Sequence, residues 1–343
     1  MRVMLTGSEG YLGCLIARRL VDEGHDVVGV DTGFYLNGWL YGGLLSGVRT
    51  LPRDVRDLTE DDLRGVEAVV HTGELSNDPV GDVIPQATYD VNHRGSVALA
   101  ELARRAGVER FVYMSSCSVY GAAEGTVDET SPVDPQTAYA VCKALVERDV
   151  TALAGDGFSP TFLRNATAFG ASPRMRFDIV LNNLCGLAWT TGTIAMTSDG
   201  TPWRPLVHGL DIAEAICRVL AAPRDDVHAR VLNIGSDDNN YTVRQIADAV
   251  AAEFDGCTVS FGPPSPDNRS YRVSFDLVRA VLPGWTCAWD AAAGAAQLHR
   301  VFRAVDLDEA TFRGRGHTRL LQIRHLLTTG QVDDLLHWTP SRA

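Results

Sequence analysis

Tyr139 and Lys143 stand four positions apart in Tyr139-Ala140-Val141-Cys142-Lys143. On a helix that spacing puts both side chains on one face. A free phenol titrates near 10 and is a poor base at neutral pH. An ammonium one turn away favours the phenolate and brings the pair toward working range. Upstream, Ser115, Ser116 and Ser118 cluster at the end of the apolar run Arg110-Phe111-Val112-Tyr113-Met114. A serine there can hydrogen-bond the oxygen whose proton the tyrosine moves; a turn-capping serine looks the same in sequence. A second constellation opens the chain. Gly7, Gly10 and Gly13 form G-x-x-G-x-x-G, with Val3-Met4-Leu5 before them and Leu12, Leu15, Ile16, Leu20 and Val21 at helical spacing after. Strand, glycine turn and helix in that order make a phosphate cradle, because the backbone approaches the anion closely and the helix N-terminus offers unpaired N–H groups. Asp31 ends the next apolar run, 21 positions after Gly10. That is the spacing at which an acid grips adenosine ribose hydroxyls. With no arginine directly after Asp31, NAD is favoured over NADP.

These groups need a scaffold that brings residues 7, 31, 116 and 139 to one place. The first half alternates strand candidates (2–6, 26–31, 48–52, 68–71, 110–115, 161–163) with helix candidates (11–23, 91–106, 137–154). Such alternation predicts an α/β, doubly wound parallel sheet of the Rossmann kind with right-handed crossovers. Beyond Gly170 the pattern is punctuated by proline and glycine, with helices expected at 177–189, 212–221 and 243–254. We expect a dinucleotide-binding domain at 1–170 and a smaller, mixed α/β substrate-binding region at 171–305. The latter is interleaved with the sheet through Val231-Leu232-Asn233-Ile234, and a C-terminal extension covers 306–343 with a helix at 319–327.

The 343 residues carry 31 basic and 43 acidic side chains, a net charge of −12. Nothing in that balance neutralises phosphates over a wide surface, so no nucleic acid or anionic membrane is expected as a partner. No apolar stretch reaches the roughly 18 residues of a membrane span, and the N-terminus reads as a strand with no signal peptide. Seven scattered cysteines without a C-x-x-C pair fit reduced thiols in the cytoplasm better than disulfides or a metal site.

The glycine loop, Asp31, Asp54-Val55, Ser115-Ser116-Cys117-Ser118-Val119-Tyr120-Gly121 and Tyr139-x-x-x-Lys143 stand in an order that resembles the extended short-chain dehydrogenase/reductases. Within them the likeness is to the NAD-dependent nucleotide-sugar epimerases and dehydratases, over residues 1 to about 302. By that resemblance Ser116, Tyr139 and Lys143 are catalytic: Tyr139 is the acid/base, Lys143 lowers its pKa and binds the nicotinamide ribose, and Ser116 supports proton transfer. The cofactor residues it implies are Gly7, Gly10, Tyr11, Leu12, Asp31, Asp54, Val55, His71, Thr72, Gly73, Asn92, Ser115, Tyr139, Lys143 and Asn165. The substrate residues are Ser76, Ser116, Cys117, Asn183, Arg204 and Arg269, where an arginine fork can bind diphosphate oxygens. The resemblance also implies a nucleotide-sugar as substrate and a homodimer formed through helices 91–106 and 137–154.

Glu74 departs from the family pattern, being an acid in a stretch usually small and apolar; an unusual substrate contact and a solvated loop residue both remain open. After oxidation of a sugar carbon, usually C4, the family divides. Dehydratases carry Asp-Glu directly after the catalytic hydroxyl, where this chain has Cys117 and Ser118. Decarboxylating members usually place a glutamate at the position of Ser118. Small residues there resemble the 4-epimerases. We therefore expect an epimerase acting through a 4-keto intermediate, then a dehydrogenase or reductase, then a dehydratase. A nonenzymatic NAD-binding regulator is a further alternative, against which the complete Ser116, Tyr139 and Lys143 set argues.

Overall fold

The computed structural model describes residues 1–42, 45, 47–76, 78–264 and 270–340. Seven strands form one parallel sheet: β1 (Arg2–Thr6), β2 (Asp26–Asp31), β3 (Arg49–Pro52), β4 (Ala68–His71), β5 (Arg110–Ser116), β6 (Ser159–Asn165) and β7 (Arg230–Ile234), in the order β7-β6-β5-β4-β1-β2-β3. The central strands are apolar without alternation because helices cover both faces; Val3, Met4 and Leu5 of β1 are fully buried. The strand order reverses between β1 and β4. In such sheets ligands bind at that switch point, outside the carboxyl ends of the strands.

The helices that carry chemistry follow the strands directly. The first, α1 (Tyr11–Asp22), begins on the glycine loop and buries Tyr11, Cys14, Leu15, Ile16 and Leu20. The helix expected over 91–106 is longer and less regular. It starts at Pro85, widens into a π turn over Tyr89–Gly95 and resumes as α2 (Ser96–Arg105). The Tyr139 helix, α3 (Ala138–Thr151), starts where Thr137 Oγ1 accepts the N–H of Ala140. That cap satisfies one of the helix's orphan donors and fixes where the helix begins, one residue before the tyrosine.

In the second half, α4 (Val180–Thr191), α5 (Gly209–Ala221), α6 (Val243–Glu253) and α7 (Ala291–Ala304) alternate with short strands. The expected start of α4 at Phe177 moves to Val180. Ile179 is extended as its N-cap, and the Asp178 carboxylate is engaged by Arg176 and by the backbone of Arg319. α4, α6 and α7 share a core of Leu181, Leu184, Ile246, Val250, Leu298 and Phe302. The tail returns across the molecule: α8 (Arg319–Thr328) and the segment after it bury Ile323, Leu326, Val332 and Leu336 against Phe34, Leu75, Val80 and Val91. No helix among the described residues is long and apolar enough to cross a membrane.

Candidate active site

A cleft of about 410 Å³ opens at the switch point. Its floor is the glycine turn. Gly7 has φ of +69°, and a side chain on it would lie 2.8 Å from Thr72 Oγ1. A side chain on Gly13 would lie 1.9 Å from the Gly7 carbonyl oxygen. Only glycine lets α1 start this close to the turn. Gly10 caps α1 without a side-chain hydrogen bond, which leaves the first N–H groups for an anion. Asp31 lines the cleft at the end of β2, its carboxylate fixed by the N–H groups of Glu9 at 3.0 Å and Gly33 at 2.9 Å. Asp54 and Val55 line the same end. Asn165 lines the cleft too; its Nδ2 donates to Ser115 O and Leu163 O, while its buried Oδ1 has no partner among the described residues. The glycine cradle, the fixed acid at the second strand and an orphaned polar atom along the wall fit an extended dinucleotide.

The opposite end holds Ser116, Tyr139 and Lys143 together. Lys143 Nζ lies 5.4 Å from the centroid of the Tyr139 ring, as one helical turn requires. Burial raises the Tyr139 pKa above that of an ordinary phenol. Lys143 and a hydrogen bond with Ser116 pull it down, and the Glu74 and Asp78 carboxylates push it up. The net is upward, so the lysine's effect is more than offset.

Burial is the largest cause, and the largest charge acting against the lysine is Glu74, which is neither a solvated loop residue nor in contact with the open cleft alone. Its side chain is 2 % exposed and ion-paired with Lys143; Lys143 Nζ also donates to Met114 O. Burial works against the Lys143 ammonium, but Glu74 and Tyr139 carry its pKa above the usual lysine value. Behind Glu74 runs a one-way chain of donors. Thr6 Oγ1 accepts the N–H groups of Thr72 and Gly73 and so gives its proton to His71 Nδ1 at 2.6 Å. His71, pushed by burial to about 4 and therefore neutral, then donates from Nε2 to Ser96 Oγ at 2.7 Å. Ser96 donates to Glu74 Oε1 at 3.0 Å, and the Tyr113 hydroxyl donates to the same oxygen at 2.7 Å. Each donor points its proton one step toward the Glu74 carboxylate, which accepts from Ser96 and Tyr113 and is ion-paired with Lys143.

Of the expected site residues, Gly7, Gly10, Tyr11, Leu12, Asp31, Asp54, Val55, Thr72, Gly73, Ser76, Ser115, Ser116, Tyr139, Lys143, Asn165 and Arg204 line the cleft. The Ser115 hydroxyl is committed to Glu147 at 2.5 Å. Four others are elsewhere. His71 is fully buried behind the wall in the chain just described. Asn92 is also fully buried; it pins the loop by exchanging both amide hydrogen bonds with the backbone of Leu75. Cys117 turns inward to the Arg164 carbonyl, and burial pushes its thiol well above the usual range. Asn183 donates to Phe177 O and is not part of the cleft lining. Arg269 lies outside the described residues. The sequence reading missed Tyr35, Arg176, Asp178 and Arg319, which all line the cleft. No motif spacing connects residues 35, 176 and 319; the only sequence signal is the closely spaced Arg174-Met175-Arg176 and Asp178 a few positions before Asn183.

A model of the NAD dependent epimerase/dehydratase family matches residues 3–235. A UDP-glucose 4-epimerase of Corynebacterium glutamicum is 30% identical over 266 residues, covering 72% of this chain and 79% of the relative. A solved structure of MoeE5 with UDP-glucose and NAD superposes with a TM-score of 0.76 at 29% identity, over 90% of this chain and all (100%) of that one. The NAD-dependent NDP-hexosamine 5,6-dehydratase TunA, of tunicamycin biosynthesis, shares the fold with a TM-score of 0.79 at 23% identity, over 89% and 99% of the two chains.

Proposed function

Since the chain belongs to the NAD dependent epimerase/dehydratase family, we propose that it is an NAD-dependent nucleotide-sugar 4-epimerase with a UDP-hexose as substrate. The UDP-glucose 4-epimerases among its relatives and the UDP-glucose complex of MoeE5 support the substrate class. The observation that carries the reaction type is the wall after Ser116. Elimination of water needs a carboxyl group there, but Cys117 is turned away with its thiol held protonated, and Ser118 brings only a hydroxyl.

When bound, NAD supplies a two-electron acceptor that oxidises the sugar carbinol and then gives the electrons back. Gly7, Gly10, Tyr11 and Leu12 would hold its diphosphate, Asp31 its adenosine ribose, and Asn165 and Lys143 its nicotinamide end. Tyr139 takes the proton of the sugar hydroxyl as the carbinol becomes a ketone, and returns it after the ketone has presented its other face. Ser116, hydrogen-bonded to Tyr139, holds the same oxygen in line. Lys143, kept charged by Glu74, stabilises the phenolate. Positioned acid/base groups of this kind are worth about 10²–10⁴-fold in rate.

The decisive experiment is turnover of UDP-glucose deuterated at C4. Retained label at an inverted C4, with no net reduction of NAD, is expected. A keto product with accumulating reduced cofactor would establish a dehydrogenase, and deuterium moved to a deoxy carbon a dehydratase; either outcome removes the epimerase reading. We place the protein in the cytoplasm because all seven cysteines are unpaired, as a reducing compartment keeps them. We also read it as a homodimer through the face of α2 and α3, since closed two-fold pairs are the commonest assembly. Sedimentation showing monomer only at micromolar concentration would remove the dimer.

A further inference from the structure

Arg319 is the first residue of α8, in the part of the chain for which the sequence offered no role. It is 4 % exposed, lines the cleft and stacks its guanidinium 4.0 Å from the centre of the Tyr35 ring. Its backbone N–H is fixed on Asp178 Oδ2 at 3.2 Å, but its guanidinium makes no hydrogen bond or ion pair among the described residues. Beside it, Arg176 also lines the cleft. Its Nε donates to Asp178 Oδ1 at 2.8 Å, and its Nη1 reaches Ser76 O and Oγ at 3.2 Å. Two buried guanidinium groups thus share one hydrogen-bonded carboxylate. Burial first, then Arg176 and Arg174, lower the Arg319 pKa to about 10 against the pull of Tyr35 and Asp178. A buried cation held this way lacks a counter-ion.

The missing anion can be located from the surroundings. Arg176 acts electrostatically on Tyr11, at the N-terminus of α1, and Arg319 on Asp31, at the end of β2. Both guanidinium groups therefore line the cleft within electrostatic reach of residues that flank the glycine turn. The tail that carries Arg319 is fastened on either side. Gln322 donates to Phe34 O at 2.9 Å, Trp338 to Thr32 O at 2.7 Å and Arg56 to Leu335 O at 2.8 Å, while Phe177 N donates to His317 O at 3.0 Å. The loop that follows Asp31 is thereby held between the sheet and the tail.

We propose that Arg319, supplied by the C-terminal extension, is a direct ligand of the cofactor diphosphate, which lies between the N-terminus of α1 on one side and the Arg176 and Arg319 guanidinium groups on the other. The backbone N–H groups bind the anion by geometry, and the arginine fork supplies the charge. The extension is then part of the cofactor site and no mere appendage to the substrate region. This rests on the reading of the cleft as an NAD site.

Titration calorimetry of the full-length protein with ADP, adenosine and UDP tests it on the wild type, Arg319→Gln and Arg319→Lys. Arg319→Gln should weaken ADP roughly 10- to 100-fold, the worth of a charge-assisted bond to phosphate. Adenosine and UDP affinity should be unchanged, and Arg319→Lys should fall between wild type and Gln. Equal losses for adenosine and ADP would make Arg319 a merely structural residue and overturn the proposal. A loss confined to UDP would assign Arg319 to the substrate's diphosphate and overturn it as well. Unchanged ADP affinity in both variants would refute the proposal while leaving the NAD site intact, whereas a wild type that binds no ADP would take the site reading down with it.

Discussion

In the proposed mechanism the chemistry at Tyr139 reduces to one oxygen. Tyr139→Phe keeps the ring and its packing, so NAD content of the purified protein should be unchanged while turnover falls about 10²–10⁴-fold; turnover within a few-fold of wild type would remove Tyr139 from the mechanism. Glu74 makes a subtler prediction. Its charge pushes the Tyr139 pKa up and neutralises the lysine that would pull it down. Glu74→Gln keeps the shape and a hydrogen-bonding oxygen but removes the charge. The acid limb of the kcat/KM profile should then move to lower pH, because one of the two carboxylates that oppose Lys143 at Tyr139 is gone while burial and Asp78 remain. The variant should also lose stability, since removing one member of a buried pair costs about 3–5 kcal/mol. A profile that stays in place, with only stability lost, would reduce Glu74 to a packing role. Tyr139 and Lys143 were legible because one helical turn links them. Glu74 was visible only as a misfit, because its partners Ser96, Tyr113 and Lys143 arrive from three other elements.

The elements themselves were read from period and punctuation, and this worked where local rules decide. The strand, glycine turn and helix at 2–22 need only near neighbours, and Thr137 ahead of Ala138 is a local cap. It worked less well where distant partners intervene. The π turn at Tyr89–Gly95 leaves no mark in apolar spacing, and the late start of α4 depends on Arg319, 141 positions away from Asp178. The glycine turn gives the element-scale prediction. In Gly13→Ala the new methyl group would meet the Gly7 carbonyl oxygen at 1.9 Å, which is backbone and cannot swing aside. The turn or the start of α1 must shift, so the protein should purify without NAD and bind it at least 10-fold more weakly. The proposed catalytic residues Ser116, Tyr139 and Lys143 sit on β5 and α3 and should keep their places, which circular dichroism close to wild type would show. Full NAD content in the alanine variant would show that the turn is not the cofactor's seat.

Across the whole molecule, burial lowers the pKa of His25, His71, His208 and His317, and it does so most in His71 and His208. His71 lies in the donor chain under Glu74; His208 accepts Leu210 N at Nδ1, donates to Gln297 Oε1 at 2.8 Å and stacks on Trp289 with 4.3 Å between ring centres. Burial pushes both from 6.5 to about 4. The unfolded chain takes up these protons near pH 6.5 and the folded chain only near 4. The stability they contribute is therefore complete above about 6.5 and is lost as pH falls toward 4. Asp211 works the other way: burial raises it to about 6, against the N–H groups of Ala288 and Trp289, so the folded state gains a proton first. Each of the two rings is worth on the order of 3 kcal/mol at about 1.4 kcal/mol per unit, and Asp211, with Glu9, Asp31 and Glu129 raised in the same sense, offsets part of that. The melting temperature should fall between pH 6.5 and 4.5, and His208→Asn should flatten that fall without moving the Tyr139 end of the cleft. A level or rising melting temperature over this range would mean that water reaches the two rings. Nothing in the sequence foretold this dependence. A histidine becomes acid-sensitive only when elements far apart in the chain close over it, as β5 and α2 do over His71 and as Gln297 and Trp289 of the second half do over His208.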